Sequence, residues 1–306
     1  MVALNQVVVL FSLIIIGYFI KKLNIVEDSM KKDISELVLN VTLPAFILLS
    51  MLSNFSVDIL NNSIKLIGIS FFMYFIAIVL GKIFVKIIKL PENEENIYRF
   101  IIIFSNSGFM GYPIVNAVLG KQGVFYAAIF NLGFTIVLWT YGVYIIKGKK
   151  NGSMSIKENI KSIINPALCA VIIGFILFSF QIQLPEFIKS TLSMVGGTTT
   201  PLSMMMIGFI LSEIHIKDIV NGWKIYVLSF ARLIVMPGLM YIILTLFNVD
   251  GYLLQIPVLI AAMPAAANTA IISSRYNANY KLASKGVFIT TLLSIITIPF
   301  IISLIK

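Results

Sequence analysis

Two stretches of the chain place amide and hydroxyl side chains beside backbone-breaking residues inside otherwise apolar runs. The first reads FIIIFSNSGFMGYPIVNAVLG and carries Asn106, Ser107, Gly108, Gly111, Pro113 and Asn116. The second reads IPVLIAAMPAAANTAIISSRYN and carries Pro264, Asn268, Thr269, Ser273 and Ser274. Glycine and proline release backbone groups from a helical ladder, and each restarted half-helix exposes N–H groups and the positive end of its dipole. Pro113 suits the first turn of a restarted helix, and Asn268 or Thr269 suits its cap. Two such helix ends, with the amides of Asn106 and Asn268, are chemistry for holding a small carboxylate without a formal cation.

The elements that position these residues follow from hydropathy. Of 306 residues, 59% are hydrophobic and 12% charged, against about 25% charged in ordinary soluble domains. The apolar blocks are long enough for helices to cross a hydrocarbon core of about 30 Å. Ten spans are expected, at 3–20, 34–53, 63–81, 97–118, 122–146, 163–181, 190–212, 223–247, 252–274 and 284–305. The first has no basic flank before it and no small-residue cleavage site after it, so it reads as a span and not a signal peptide.

Charge gives the expected orientation. Connections after odd-numbered spans hold eighteen Lys and Arg residues, the others hold Lys65, Lys121, Lys189 and Lys306, and Arg232 is the one remaining. Positive residues stay on the cytoplasmic side, so both termini are expected outside the cell membrane. This distribution also accounts for the net charge of +10 and argues against nucleic-acid binding. All thirteen acidic residues fall in or beside connections, which disfavours a cation pump built on a mid-membrane carboxylate. Arg232, in YVLSFARLIVMPG, is the lone deep charge, read either as a functional group or as one bonded to helix carbonyls or snorkelling to an interface.

The chain divides into two five-span halves, 1–155 and 156–306. An odd number of spans per half makes them oppositely oriented. Pro44 and Pro201, each after a Thr-containing stretch that includes Asn40 and Thr42 or Thr200, lie 157 residues apart, and the Gly-Val-Phe openings at Gly123 and Gly286 lie 163 apart. The interrupted fourth span of each half is the expected site. Packing of kinked helices through small residues is the bland alternative.

Other candidates are weaker. Cys169 is the single cysteine and excludes an intrachain disulfide. His215 reads as a solvated loop residue, and Met204, Met205 and Met206 read as packing rather than metal ligation. No catalytic motif is present, so no enzyme activity, metal or cofactor is expected; coupling to sodium or protons stays open.

These motifs, LNVTLPAFIL, SNSGFMGYPIVNAVLG, TTTPLSMMMIGFIL and AAMPAAANTAIISSRYN, resemble those of the auxin efflux carrier family over the whole chain. The resemblance implies a homodimer in which spans 1, 2, 6 and 7 form a scaffold. Spans 3–5 and 8–10 would form a transport unit, with broken spans 4 and 9 crossing. It places the family's span 4 asparagine on Asn106 and its crossover prolines on Pro113 and Pro264. Asn40, Thr42, Pro44, Thr200 and Pro201 become scaffold-side positions. The chain departs from plant members in having Asn268-Thr269 where they carry a second proline, and in lacking their long cytoplasmic loop. A secondary transporter of a small organic anion such as malate, working by an elevator mechanism, is therefore expected. A sodium-coupled bile-acid-type symporter, a channel and a membrane sensor are the alternatives.

Overall fold

The computed structural model describes residues 2–147, 163–212, 222–276 and 278–305. His215 and the junction expected at 155/156 lie outside them. Every regular element among the described residues is helical. In chain order these are α1 (Val2–Lys22), α2 (Asp28–Leu37), α3 (Leu43–Ser50), α4 (Val57–Ile88), α5 (Glu92–Ile103), α6 (Tyr112–Val137), α7 (Val143–Lys147) and α8 (Pro166–Ser179). After them come α9 (Glu186–Gly197), α10 (Thr199–Ser212), α11 (Trp223–Phe230), α12 (Met236–Leu246), α13 (Gly251–Ala262), α14 (Asn268–Arg275) and α15 (Tyr280–Leu304). Four wider π-helical turns, at Val38–Thr42, Ser107–Gly111, Leu138–Gly142 and Ala231–Val235, join some of them end to end.

Seven helical stretches among the described residues are long and apolar enough to cross a membrane, and Pro166–Ser179 and Gly251–Ala262 are shorter apolar helices. In hydrocarbon, every backbone group must be paired within the protein, which a helix does inside its own segment. Exposed Val8, Ile15 and Phe19 on α1, Phe72 and Phe75 on α4, and Ile296 and Phe300 on α15 offer the apolar surface that lipid wets. The stretch Ser107–Lys147 comprises two helices that meet at the connection expected at Gly120, where φ of 68° and ψ of −166° are not helical. The stretches expected at 97–118 and 252–274 are each divided by an extended break.

The chain forms two compact units. One comprises Met1–Lys65, Gly108–Ile129 and Ile164–Glu213. Its helices touch through small residues: a methyl at Gly17 would meet the Met205 carbonyl, and one at Gly208 would meet the Ile14 carbonyl. The two backbones of α1 and α10 therefore lie in direct contact, the small-residue packing that substitutes for a hydrophobic driving force in lipid. Met204 and Met206 are buried in this unit, as packing residues. Both prolines of the expected repeat follow a deformed turn, Pro44 after the π-turn Val38–Thr42 and Pro201 after the break at Thr198 between α9 and α10. Proline lacks a donor and its ring crowds the carbonyl four residues back, and a widened or broken turn relieves both.

The other unit comprises Leu66–Ser107, Phe130–Ile163 and Ile214–Lys306. Tyr74, Phe100, Phe104 and Phe134 form its aromatic core, with Phe104 edge-on to Phe134 at 5.9 Å. Gly133 lets α6 approach α4 so closely that the Ser70 hydroxyl donates to the Phe130 carbonyl at 2.7 Å.

Gly208→Val is expected to destabilise the protein by on the order of 3 kcal/mol, because the added atoms overlap backbone that cannot yield. Gly68→Ala, where an added methyl meets nothing within 4 Å, serves as the neutral control. Thermal unfolding of the two variants followed by size-exclusion chromatography measures the contrast, and equal melting temperatures would contradict the direct contact of α1 with α10.

Candidate functional site

The break after α5 begins at Phe104, with φ of −103° and ψ of 115°, and the break after α13 begins at Met263, with φ of −66° and ψ of 147°. Both are extended, so the carbonyls and amides there have left their helices. They pair with each other instead. Ser105 stands opposite Ala265 in an antiparallel bridge. The Asn106 N–H donates to the Pro264 carbonyl at 2.8 Å, and the Ala266 N–H donates to the Phe104 carbonyl at 2.9 Å. The Ala265 N–H, on the outer edge of this bridge, donates to the Thr290 hydroxyl oxygen at 3.1 Å, and that hydroxyl donates to the Gly286 carbonyl at 2.7 Å.

Diverting the Asn106 N–H to Pro264 deprives the Ile102 carbonyl of its ordinary helical donor four residues on. Arg232 supplies the replacement, its Nη1 donating to the Ile102 carbonyl at 3.3 Å. The side chain is 1% exposed and springs from the π-turn Ala231–Val235, just before Pro237. Its charge thus sits at the C-terminal, negative end of α5, where a cation is favoured. The Nε and Nη2 of Arg232 have no protein partner among the described residues, and neither do the buried hydroxyls of Ser105 and Ser273.

The other expected residues are distributed around this bridge. Asn106 is 4% exposed. Ser107 donates from its hydroxyl to the Asn131 Oδ1 at 2.7 Å, which ties the end of the break to α6. Neither Asn268 nor Thr269 caps α14 with its side chain: the cap position is Ala267, and the Thr269 hydroxyl turns back onto the Ala266 carbonyl at 2.6 Å. Asn268, partly exposed, occupies the first helical position instead. Gly108 and Gly111 lie in the π-turn Ser107–Gly111, so the helix restarts before Pro113 and not at it. A methyl built at Gly108 meets nothing within 4 Å, so packing does not require glycine there.

Asn40, Thr42, Pro44, Thr200 and Pro201 belong to the first-described unit. Asn40 is exposed, Pro44, Thr200 and Pro201 are half-buried, and the buried Thr42 hydroxyl has no partner among the described residues. Asn131 and Thr290 escape a reading of the sequence. Asn131 lies in a mostly apolar run and Thr290 beside Thr291 in another, and no spacing marks either as the partner of a break far away in the chain.

Interrupted apolar helices paired at their breaks, with a buried arginine at one of them, are a membrane-transport architecture. The chain matches the model of the membrane transport protein family over residues 2–302 and belongs to that family, in agreement with its auxin-carrier-like motifs. It is 28% identical over 306 residues to an uncharacterized transporter of Methanocaldococcus jannaschii, covering 97% of each chain. It is 22% identical over 303 residues to the uncharacterized transporter YfdV of Escherichia coli K12, covering 94% of this chain and 92% of the other. A relative in Rhizobium meliloti, named as a candidate malonate transporter, is 30% identical over 129 residues, which cover 42% of this chain and 39% of that one.

Two substitutions test the construction of the breaks. Arg232→Met leaves the Ile102 carbonyl without its side-chain donor and should speed hydrogen exchange at the Asn106 and Ala266 amides about 5- to 30-fold, an opening cheaper by about 1–2 kcal/mol. Unchanged exchange would mean that the arginine does not hold the break. Thr290→Val keeps the shape but strands the buried Ala265 N–H, and should lower stability by about 1–3 kcal/mol. Denaturant or thermal melting of that variant is the measurement.

Proposed function

We propose that this chain is a secondary transporter of small dicarboxylates such as malonate or malate, and that the paired helix breaks bind them. The observation that carries this reading is the bridge between Phe104–Asn106 and Met263–Ala267, together with the buried Nε and Nη2 of Arg232 and the Ser105 and Ser273 hydroxyls, which have no protein partner among the described residues. Buried polar groups without partners cost free energy, and a bound carboxylate repays them with charge-assisted hydrogen bonds. Open space at Gly108 lets a ligand approach the backbone at the restart. The candidate malonate transporter among the relatives supports a dicarboxylate over an auxin-like ring acid.

In this reading the chain has ten spans in two inverted repeats of five, both termini outside the cell membrane, and a homodimeric scaffold of spans 1, 2, 6 and 7. Spans 3–5 and 8–10 carry the site by an elevator mechanism. The grouping of spans 1, 2, 6 and 7 in one compact unit, and of most of spans 3 and 8–10 in the other, supports that assignment, whereas Gly108–Ile129, from spans 4 and 5, groups with the first. Asn106, Ser107, Gly108, Asn268, Thr269 and Arg232 contact the substrate. Gly108, Gly111, Pro113 and Pro264 open the backbone, and Asn40, Thr42, Pro44, Thr200 and Pro201 complete the scaffold side.

Counterflow in proteoliposomes tests the function: internal malonate should drive saturable uptake of labelled malonate. Flux without saturation identifies a pore, binding without flux a sensor, and strict sodium dependence a symporter. For the site, Asn106→Ala and Asn268→Ala should each weaken malonate binding about ten- to a hundredfold, the loss of one donor to a charged ligand. A lowered apo melting temperature with unchanged affinity would reduce both amides to structural ties. Gly108→Ala should fold normally and transport poorly, since its methyl enters the open space.

A further inference from the structure

We infer that the first-described unit carries a second anion site, a surface cavity that recruits small dicarboxylates from solution. The cavity has a volume of about 840 Å³ and is walled by four segments: the end of α3 through Asn54, Ile59 at the start of α4, the turn at Lys121–Gln122, and the first turns of α9. The lining includes Lys121, Lys189, Asn54, Ser190 and Ser193, with the single carboxylate of Glu186 beside them. All four segments lie within the same compact unit.

The charge is not what chance would put there. Eighteen Lys and Arg residues occupy one alternate set of connections and four lysines the other, and two of those four meet in this cavity. The folding chain brings them together by a specific device. Gly120, at a φ of 68° that glycine adopts without strain, bends the helical stretch so that Lys121 and Gln122 enter the cavity wall. Lys189 comes from the opening of α9, whose free N–H groups add to the positive potential. Two ammonium groups against one carboxylate leave a net positive recess with hydroxyl and amide donors around it.

The ligand class follows from charge and size. A dianion gains from both lysines, and hydroxyl and amide donors suit carboxylate oxygens. The volume lies in the range of small-molecule sites and admits a small dicarboxylate with part of its hydration shell, so binding is weak and fast, sensitive to salt, and suited to raising local concentration. The site stands whether or not the helix breaks bind a ligand.

The full chain, with Cys169→Ser removing the exposed native thiol and Ser53→Cys carrying an environment-sensitive fluorophore, reports occupancy of the cavity directly. Titration with malonate in phosphatidylcholine nanodiscs at low ionic strength keeps anionic headgroups out of the measurement. A saturable response is expected. Lys121→Gln with Lys189→Gln should raise the half-saturating concentration at least about tenfold, and Glu186→Gln should lower it several-fold. The gain in Glu186→Gln stands as a test even where the double variant fails to assemble. Asn106→Ala should leave the response unchanged, which separates this site from the helix breaks. The inference is overturned by the absence of a saturable response, by chloride at matched ionic strength reproducing it, by indifference to the two lysines, by weaker binding in Glu186→Gln, or by a loss in Asn106→Ala as large as that in the lysine variant.

Discussion

A helix that stops in a lipid-embedded protein leaves amides and carbonyls that water cannot reach, and the arrangement of the second-described unit follows from where those groups find partners. The Asn106 and Ala266 amides reach across to the opposite break, and the Ala265 amide reaches the Thr290 hydroxyl. The Ile102 carbonyl, freed by the first of these exchanges, is taken by Arg232. Each unpaired group would cost several kcal/mol in hydrocarbon. Accounting for them joins α5, α13, α15 and the π-turn before α12 into one connected assembly, which includes Asn106 and Arg232.

Proline follows most of the π-helical turns of this chain. Three of the four π-helical turns end two residues before one, at Pro44, Pro113 and Pro237. A turn that closes over five residues instead of four accommodates the missing donor and the crowded carbonyl without ending the helix. It also changes which face the following residues present. At Ala231–Val235 that deformation accompanies a buried guanidinium, so a backbone adjustment and a buried charge share one turn.

The two units are held by different physics. In the first, Gly17 and Gly208 allow backbones to touch, and cohesion comes from dispersion over a close surface. In the second, polar exchange between broken helices does the same work beside an aromatic core of Tyr74, Phe100, Phe104 and Phe134. Close apolar contact has no partner requirement, whereas an exchanged hydrogen bond can be lent to a ligand.

Hydropathy, the positions of glycine and proline, and the motif resemblance together carried the helical membrane class, the family and the locations of both breaks. These are legible because each is a local property: apolar length sets a span, and a missing donor or side chain disrupts the ladder where it occurs. The Gly120 interruption was expected for the same reason, as a turn at GKQ. Ten spans were expected; seven helical stretches of membrane length are found among the described residues, one of them, Ser107–Lys147, made of two helices that meet at Gly120, while the stretches expected at 97–118 and 252–274 are divided by extended breaks. Only the tertiary structure decided that Arg232 meets Ile102, that Ser107 meets Asn131, and that Thr290 holds Ala265. It also turned Thr269 onto Ala266, where its type suggested a helix cap. Those partners lie far apart in sequence or compete with near-equal alternatives, so their pairing depends on which helices pack together and which way each side chain then points, and neither is encoded by the residues of any one segment.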